Sequence, residues 1–261
     1  MTAPFLVTGG TGTLGQHVVP LLRQAGHPVR VLSRRPRPTG DGRDGEDGGL
    51  TYVTGNLLEN EGVEAAVAGA TTVVHLAGGP KGDDEATRNL VRAATEEGVR
   101  HLVLISVIGA NRVPIGYHRM KLGTEVAVAE SGIPWTTLRA AQFHELLHTV
   151  LAKMTRLPVV PAPRGVRVEP VDSRDVGARL AELALGEPAG LVPDLAGPTV
   201  YGLDELIHSY LRSTGTRRPV LTLPLPGKAG RALRAGTNLA ADGADRGRHT
   251  WEDFLTGRVD A

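Results

Sequence analysis

Between the apolar run Pro4-Phe5-Leu6-Val7 and an amphipathic stretch from Gln16 to Gln24 lie seven residues, Gly9-Gly10-Thr11-Gly12-Thr13-Leu14-Gly15. They place a glycine-rich turn between a strand and a helix. A turn so placed suits a dinucleotide pyrophosphate: Gly9 allows the tight exit from the strand, Gly12 lets backbone touch phosphate, and Gly15 lets the helix lie close on the sheet. The first N–H groups of that helix and its dipole then face the anion. Gly9, Gly12, Thr13, Leu14 and Gly15 are therefore candidate cofactor-binding residues. The spacing is G-x-x-G-x-x-G, and in a chain with 34 glycines an ordinary turn is the competing explanation. Its place directly after the first strand argues for the nucleotide.

Short β-branched runs alternate with helical patterns along the first half. Pro4 to Thr8, Val29 to Leu32, Leu50 to Thr54, Thr72 to Leu76, His101 to Ser106 and Trp135 to Leu138 read as strands. Leu14 to Gln24, Glu61 to Ala68, Asp84 to Glu97 and Tyr117 to Ser131 read as helices. Repeated βαβ of this kind predicts an α/β fold, a Rossmann-type doubly wound parallel sheet with ligand at the C-terminal strand ends. The strands are continuously apolar, as when helices cover both faces. The polar stretch Thr39 to Gly49 reads as a mobile surface loop. After Arg139 the alternation breaks down: Phe143 to Thr155 looks helical, Pro158 to Pro163 is a proline-rich connection, and Ser173 to Leu185 is a helix with Ser173 as its cap. Residues 1–139 are thus expected to form the dinucleotide-binding core. Residues 140–261 are expected to form a small substrate lobe interleaved with the last core elements, the whole being one structural unit.

A net charge of +1, from 29 basic and 28 acidic residues, offers no strong field for nucleic acid or an anionic membrane. The basic residues near the C-terminus (Lys228, Arg231, Arg234, Arg246, Arg248) have no aromatic residues among them to stack on bases, so no nucleic-acid partner is expected. Without cysteine there is no disulfide framework, thiolate nucleophile or Cys-ligated metal. Met1 to Pro4 lack a basic leader region, and runs such as Leu102 to Ile108 are too short to span a bilayer. These features point to a soluble cytoplasmic protein without a membrane partner.

Several residues could carry chemistry. Arg34 and Arg35 follow the second strand, where an acidic residue would hold the ribose 2′-hydroxyl of NAD; guanidinium groups there suit the 2′-phosphate of NADP instead. Asn56-Leu57 and Ala77-Gly78-Gly79 fall at strand ends bordering the presumed crevice, where small residues would let adenine and ribose approach the backbone. Tyr117 and Lys121, four apart at a helix start, project from one face, and Ser106 ends the preceding strand. Such a trio can reduce a carbonyl: Tyr117 donates the proton, Lys121 lowers the tyrosine pKa and holds the nicotinamide ribose, and Ser106 hydrogen-bonds the carbonyl. His144-Glu145-Leu146-Leu147-His148 reads H-E-x-x-H, a zinc pattern on a helix. No third histidine follows between Val150 and Pro158 and Glu169 is distant, so no metal is expected.

Taken together, Leu6 to Gly15, His101 to Ser106, Tyr117 to Lys121 and Trp135-Thr136-Thr137-Leu138-Arg139 resemble the short-chain dehydrogenase/reductase superfamily, most closely its atypical, NmrA-like branch. Gln142-Phe143-His144, Pro170 to Val176 and Asp194 to Pro198 extend the resemblance over nearly the whole chain. It implies a Rossmann fold with a small substrate lobe and NADP(H), in a branch of ketone, quinone and imine reductases that also includes dinucleotide sensors. Many members of this branch lack the tyrosine, so its presence favours catalysis. Two departures are visible: Ser106 and Tyr117 stand unusually close in sequence, and Asn56 replaces a common aspartate. The resemblance further implies that Ala140 to Glu145 lies near the nicotinamide, making Gln142, Phe143 and His144 candidates for substrate contact, with His144 a reserve proton donor. The expected activity is NADPH-dependent reduction of a carbonyl on an apolar small molecule. A non-catalytic NADP(H) sensor and a cofactor-recycling epimerase or dehydratase are the alternatives, and the oligomeric state, monomer or homodimer, stays open.

Overall fold

Strand β1 (Phe5–Thr8) is buried at every position because it is hydrogen-bonded in parallel on both edges, Phe5 opposite Val29 of β2 (Val29–Ser33) and opposite Thr72 of β4 (Thr72–His75). This is the computed structural model of the chain, describing residues 3–36, 49–79 and 81–259. The stretch Thr39 to Gly48, expected to be a loop, lies outside the described residues. Helix α1 (Gly15–Gln24) joins β1 to β2 and buries Val18, Val19 and Leu22. The alternation continues through β3 (Leu50–Thr54), α2 (Val63–Val67), α3 (Asp83–Glu96), β5 (His101–Val107), α4 (Gly116–Ala129) and β6 (Trp135–Ala140). Then come α5 (His144–Met154), β7 (Val160–Pro163), β8 (Arg167–Val168), α6 (Ser173–Leu185), β9 (Gly190–Leu191), β10 (Leu195–Ala196), β11 (Tyr201–Gly202), α7 (Leu203–Ser213), β12 (Val220–Leu223), α8 (Gly227–Arg234), β13 (Asp245–Arg246) and α9 (Trp251–Val259).

The described residues fall into two compact units. The first takes the chain up to Ser106, Met120–Leu138 and Gly177–Val192; the second takes Val107–Arg119, Arg139–Val176 and the chain from Pro193. The first unit carries the parallel sheet in the order β6-β5-β4-β1-β2-β3, with β9 beside β6. The order reverses at β1, so the C-terminal ends of β1 and β4 open the crevice in which open α/β sheets bind ligands. Leu6, Leu90, Leu102, Leu104, Val63 and Val67 form a core beneath α2 and α3. Strand β3 departs from the expectation of continuous burial: as the last strand it leaves Thr51, Tyr52 and Thr54 exposed.

In the second unit, Leu195 of β10 pairs in parallel with Ala140, and β13 pairs with β10. Two short sheets, β8 with β11 and β7 with β12, complete its strands. Its core gathers Leu147 and Leu151 of α5, Leu206 and Tyr210 of α7, and Trp251 and Phe254 of α9. The segment read as a proline-rich connection is strand β7. Helix α6 begins at Ser173 as expected, but its first turn is held by Asp172, whose Oδ1 accepts the Arg174 N–H at 2.8 Å, while the Ser173 hydroxyl donates to Glu145. No described helix is long and apolar enough to cross a membrane.

Candidate active site

The glycine turn sits at the C-terminal end of β1 with Thr11, Gly12 and Thr13 exposed. Gly9 has φ +70°, a left-handed conformation, and a Cβ there would stand 2.6 Å from the Ala77 backbone nitrogen. Both facts demand glycine. Gly15 departs from its expected role: a Cβ on it would collide with the backbone of Gly10, so it closes the turn on itself. Gly10 takes the sheet-packing role, lying against Val31 of β2. Leu14 is buried at the start of α1 and has no side-chain cap there. Among the described residues a Cβ on Gly12 would meet the Gly9 oxygen at 3.3 Å, a tight contact, so this exposed stretch of backbone leaves little room for a side chain. An exposed helix N-terminus where backbone is left bare of side chain fits a pyrophosphate.

The end of β4 meets this turn through a buried hydrogen-bond chain. The Thr87 hydroxyl donates to the Asp83 carbonyl at 2.6 Å, so its oxygen must accept from His75 Nε2 at 3.0 Å. His75 Nδ1 is then an acceptor and takes the Thr8 hydroxyl at 2.7 Å, while Thr8 Oγ1 accepts the Ala77 N–H at 3.3 Å. Burial, and then the Lys121 charge, lower the His75 pKa from 6.5 to about 3, so the ring is neutral. Ala77, Gly78 and Gly79 follow, with Lys121 of α4 beside them: Lys121 Nζ would lie 3.3 Å from a Cβ on Gly78.

Two strand-end candidates are otherwise engaged. Asn56 Oδ1 accepts the Leu58 N–H at 3.2 Å, and its backbone forms a two-way bridge with Glu61, so its side chain closes its own turn. Leu57 is buried in the core with Leu6 and Leu32, so what it offers at the strand end is backbone. Arg34 and Arg35 are exposed directly beyond the end of β2. Ser106 is buried near the end of β5 and donates its hydroxyl proton to Glu125 Oε1 at 2.5 Å. In this arrangement the single hydroxyl proton is directed to Glu125 and not to the position of a substrate carbonyl. Tyr117 occupies the first turn of α4, 46% exposed, with His118 edge-on to its ring at 5.8 Å; Lys121 follows one turn later on the same helix.

The residues after β6 are placed less openly than expected. The Gln142 carbonyl accepts from Val171 N–H, and Phe143, half-buried, pairs with Val171 as an isolated bridge. Gln142 Oε1 is buried with no hydrogen-bond partner among the described residues. His144 is 0% exposed, its Nε2 donating to the Pro170 carbonyl at 3.3 Å, with Trp251 and Phe254 against its ring. Its Nδ1 faces Asp172 at 3.5 Å. Burial would raise the Asp172 pKa, but paired hydrogen bonds from Arg174 and the neighbouring His144 hold it well below the carboxylate range. His144 therefore cannot serve as a reserve proton donor to a substrate. His148, one turn on, packs against Tyr210 and Phe254, so the H-E-x-x-H pair points into the core of its unit.

Sequence reasoning missed Asp83, His75, Thr8 and Glu125. A buried polar side chain at the end of an apolar strand, as in Val73-Val74-His75 and Leu6-Val7-Thr8, was the available signal for two of them.

The NAD(P)H-binding family model matches residues 9–183. Over 177 residues the chain is 34% identical to the (4-alkanoyl-5-oxo-2,5-dihydrofuran-3-yl)methyl phosphate reductase of Streptomyces griseus, covering 66% of this chain and 60% of that protein, so the match spans under two thirds of the relative's length. It is 26% identical to the NAD(P)H azoreductase of Xenophilus azovorans over 98% of this chain and 90% of that one. The fold is that of the NADPH-dependent quinone oxidoreductase of Escherichia coli, solved with NADPH, with TM-score 0.77 at 20% identity, covering 97% of this chain and 99% of that chain. The chain thus belongs to the NAD(P)H-binding family.

Proposed function

We propose that the protein is an NADPH-dependent oxidoreductase that reduces a carbonyl, ketone or quinone-like, of an apolar small molecule. The observation that carries this reading is the buried Lys121 ammonium standing against Gly78 at the end of β4, on the helix that presents Tyr117 one turn earlier. When bound, the reduced nicotinamide supplies the hydride. Tyr117 gives its hydroxyl proton to the carbonyl oxygen, and Lys121 donates hydrogen bonds to the nicotinamide ribose. Gly9 to Gly15 cradle the pyrophosphate through backbone N–H groups. Arg34 and Arg35 pair with the 2′-phosphate, which favours NADPH over NADH. Reductases among the relatives support the reaction class.

The test is consumption of NADPH with a panel of quinones and ketones, alongside calorimetric binding of NADPH and NADH. Tyr117→Phe should lower kcat by about 10²–10⁴-fold with NADPH affinity kept, and R34A/R35A should weaken NADPH while leaving NADH unchanged. Tight NADPH binding without turnover on any acceptor would replace the reductase reading with that of a dinucleotide sensor.

A further inference from the structure

Asp83 opens α3 beside two other acids, Asp84 and Glu85, and a helix-dipole role would account for all three. Their surroundings differ. Asp84 is 39% exposed and pairs with Arg88 on the helix surface, whereas the side chains of Asp83 and Lys121 are 7% and 8% exposed, with Oδ2 and Nζ 3.1 Å apart. Asp83 Oδ1 accepts the Gly79 N–H at 2.5 Å, so the same carboxylate grips the loop after β4 and the cation on α4. A Cβ on Gly78 would lie 3.2 Å from Asp83 Oδ2 and 3.3 Å from Lys121 Nζ, which puts the ion pair directly against that loop. The Asp83 carbonyl continues through Thr87 and His75 to Thr8, the residue before the glycine turn. Burying an ion pair costs desolvation that a solvated lysine would avoid. The arrangement is therefore poorly explained by stability and well explained by a need for a fixed cation at the strand end.

We propose that Asp83 is the positioning residue of Lys121, holding its ammonium against the Gly78-Gly79 loop so that its remaining protons are aimed where the dinucleotide ribose would accept them. The inference rests on the proposed role of Lys121. An ammonium carries three donors and Asp83 engages one side of it, leaving capacity for a ligand. By compensating the Lys121 charge, Asp83 also weakens any long-range pull of that charge on Tyr117, so Lys121 acts by hydrogen bonds more than by its field.

D83N keeps an oxygen for the Gly79 N–H while removing the counter-charge, and K121M removes the cation. With D83N/K121M they make a double-mutant cycle, read by NADPH calorimetry and by thermal melting of the ligand-free protein. D83N and K121M should each weaken NADPH by about 10- to 100-fold, D83N should add nothing in the K121M background, and the double variant should melt above K121M, because no carboxylate is left buried without its partner. Should D83N alone fail to fold, the doubly neutral variant compared with K121M supplies the same two readouts. Equal NADPH losses from D83N in both backgrounds would overturn the positioning role alone. NADPH affinity untouched by K121M would overturn the ribose role of Lys121 and the positioning role with it.

Discussion

Acidification should destabilise this protein through His75 in a way that one substitution can isolate. The ring is 2% exposed, with Nε2 donating to Thr87 and Nδ1 accepting from Thr8. Protonating Nδ1 would turn the Thr8 hydroxyl away from it, although Thr8 Oγ1 already accepts the Ala77 N–H. Burial first, and Lys121 second, move the pKa from 6.5 to about 3. The unfolded chain takes up this proton near pH 6.5 and the folded chain only near pH 3, so within that window the unfolded state binds more protons and stability falls as pH falls. The loss is about 1.4 kcal/mol per pH unit below 6.5, or about 2 kcal/mol by pH 5.0. Urea unfolding of the wild type and of His75→Gln, each at pH 7.5 and 5.0, measures it. Gln offers one donor and one acceptor and does not titrate. His101, His118 and His148, also lowered chiefly by burial, act in both proteins and cancel in the difference. The drop between the two pH values should be about 2 kcal/mol smaller in the variant; the same drop in both proteins would refute the assignment of a neutral, buried His75.

Gly9→Ala forces a side chain into a left-handed backbone 2.6 Å from Ala77 and should cost about 2–4 kcal/mol in urea unfolding, whereas Gly12→Ala, on an exposed turn where its Cβ would stand 3.3 Å from the Gly9 oxygen, should cost about 1 kcal/mol or less yet weaken NADPH at least about 10-fold by calorimetry. Ser106→Ala should leave kcat within a few-fold and cost about 1 kcal/mol of stability, because its proton serves Glu125; a fall in kcat of the order of 10² would restore a role at the carbonyl. His144→Phe leaves the Pro170 carbonyl unpaired and should cost about 1–3 kcal/mol, with NADPH turnover per folded molecule unchanged; turnover lost at full folding would make the imidazole a proton donor after all.

The parts of this fold that could be read from the sequence are those whose determinants are local. The glycine turn and the first six strands show because a strand needs only its own run of apolar residues and a turn only its own glycines. Strand β7 escaped because Val160-Pro161-Ala162-Pro163 looks unfit to pair. Its prolines fall on alternate positions, and the flanking Val160 and Arg164 N–H groups reach the Pro219 and Leu223 carbonyls, so the missing donors are ones that pairing with β12 does not use. The site divides in the same way. That Tyr117 and Lys121 share a helix face follows from a spacing of four, as does the shared face of His144 and His148. What each face meets depends on residues far along the chain: Trp251 and Phe254 decide that the histidines are core, and Asp83 decides that Lys121 is a held cation. Periodicity gives a side chain its direction, while burial and partner are properties of the assembled sheet. The reactive candidates most open to misreading in such a chain are therefore those, like Ser106, whose one proton is already committed to a residue nineteen positions away.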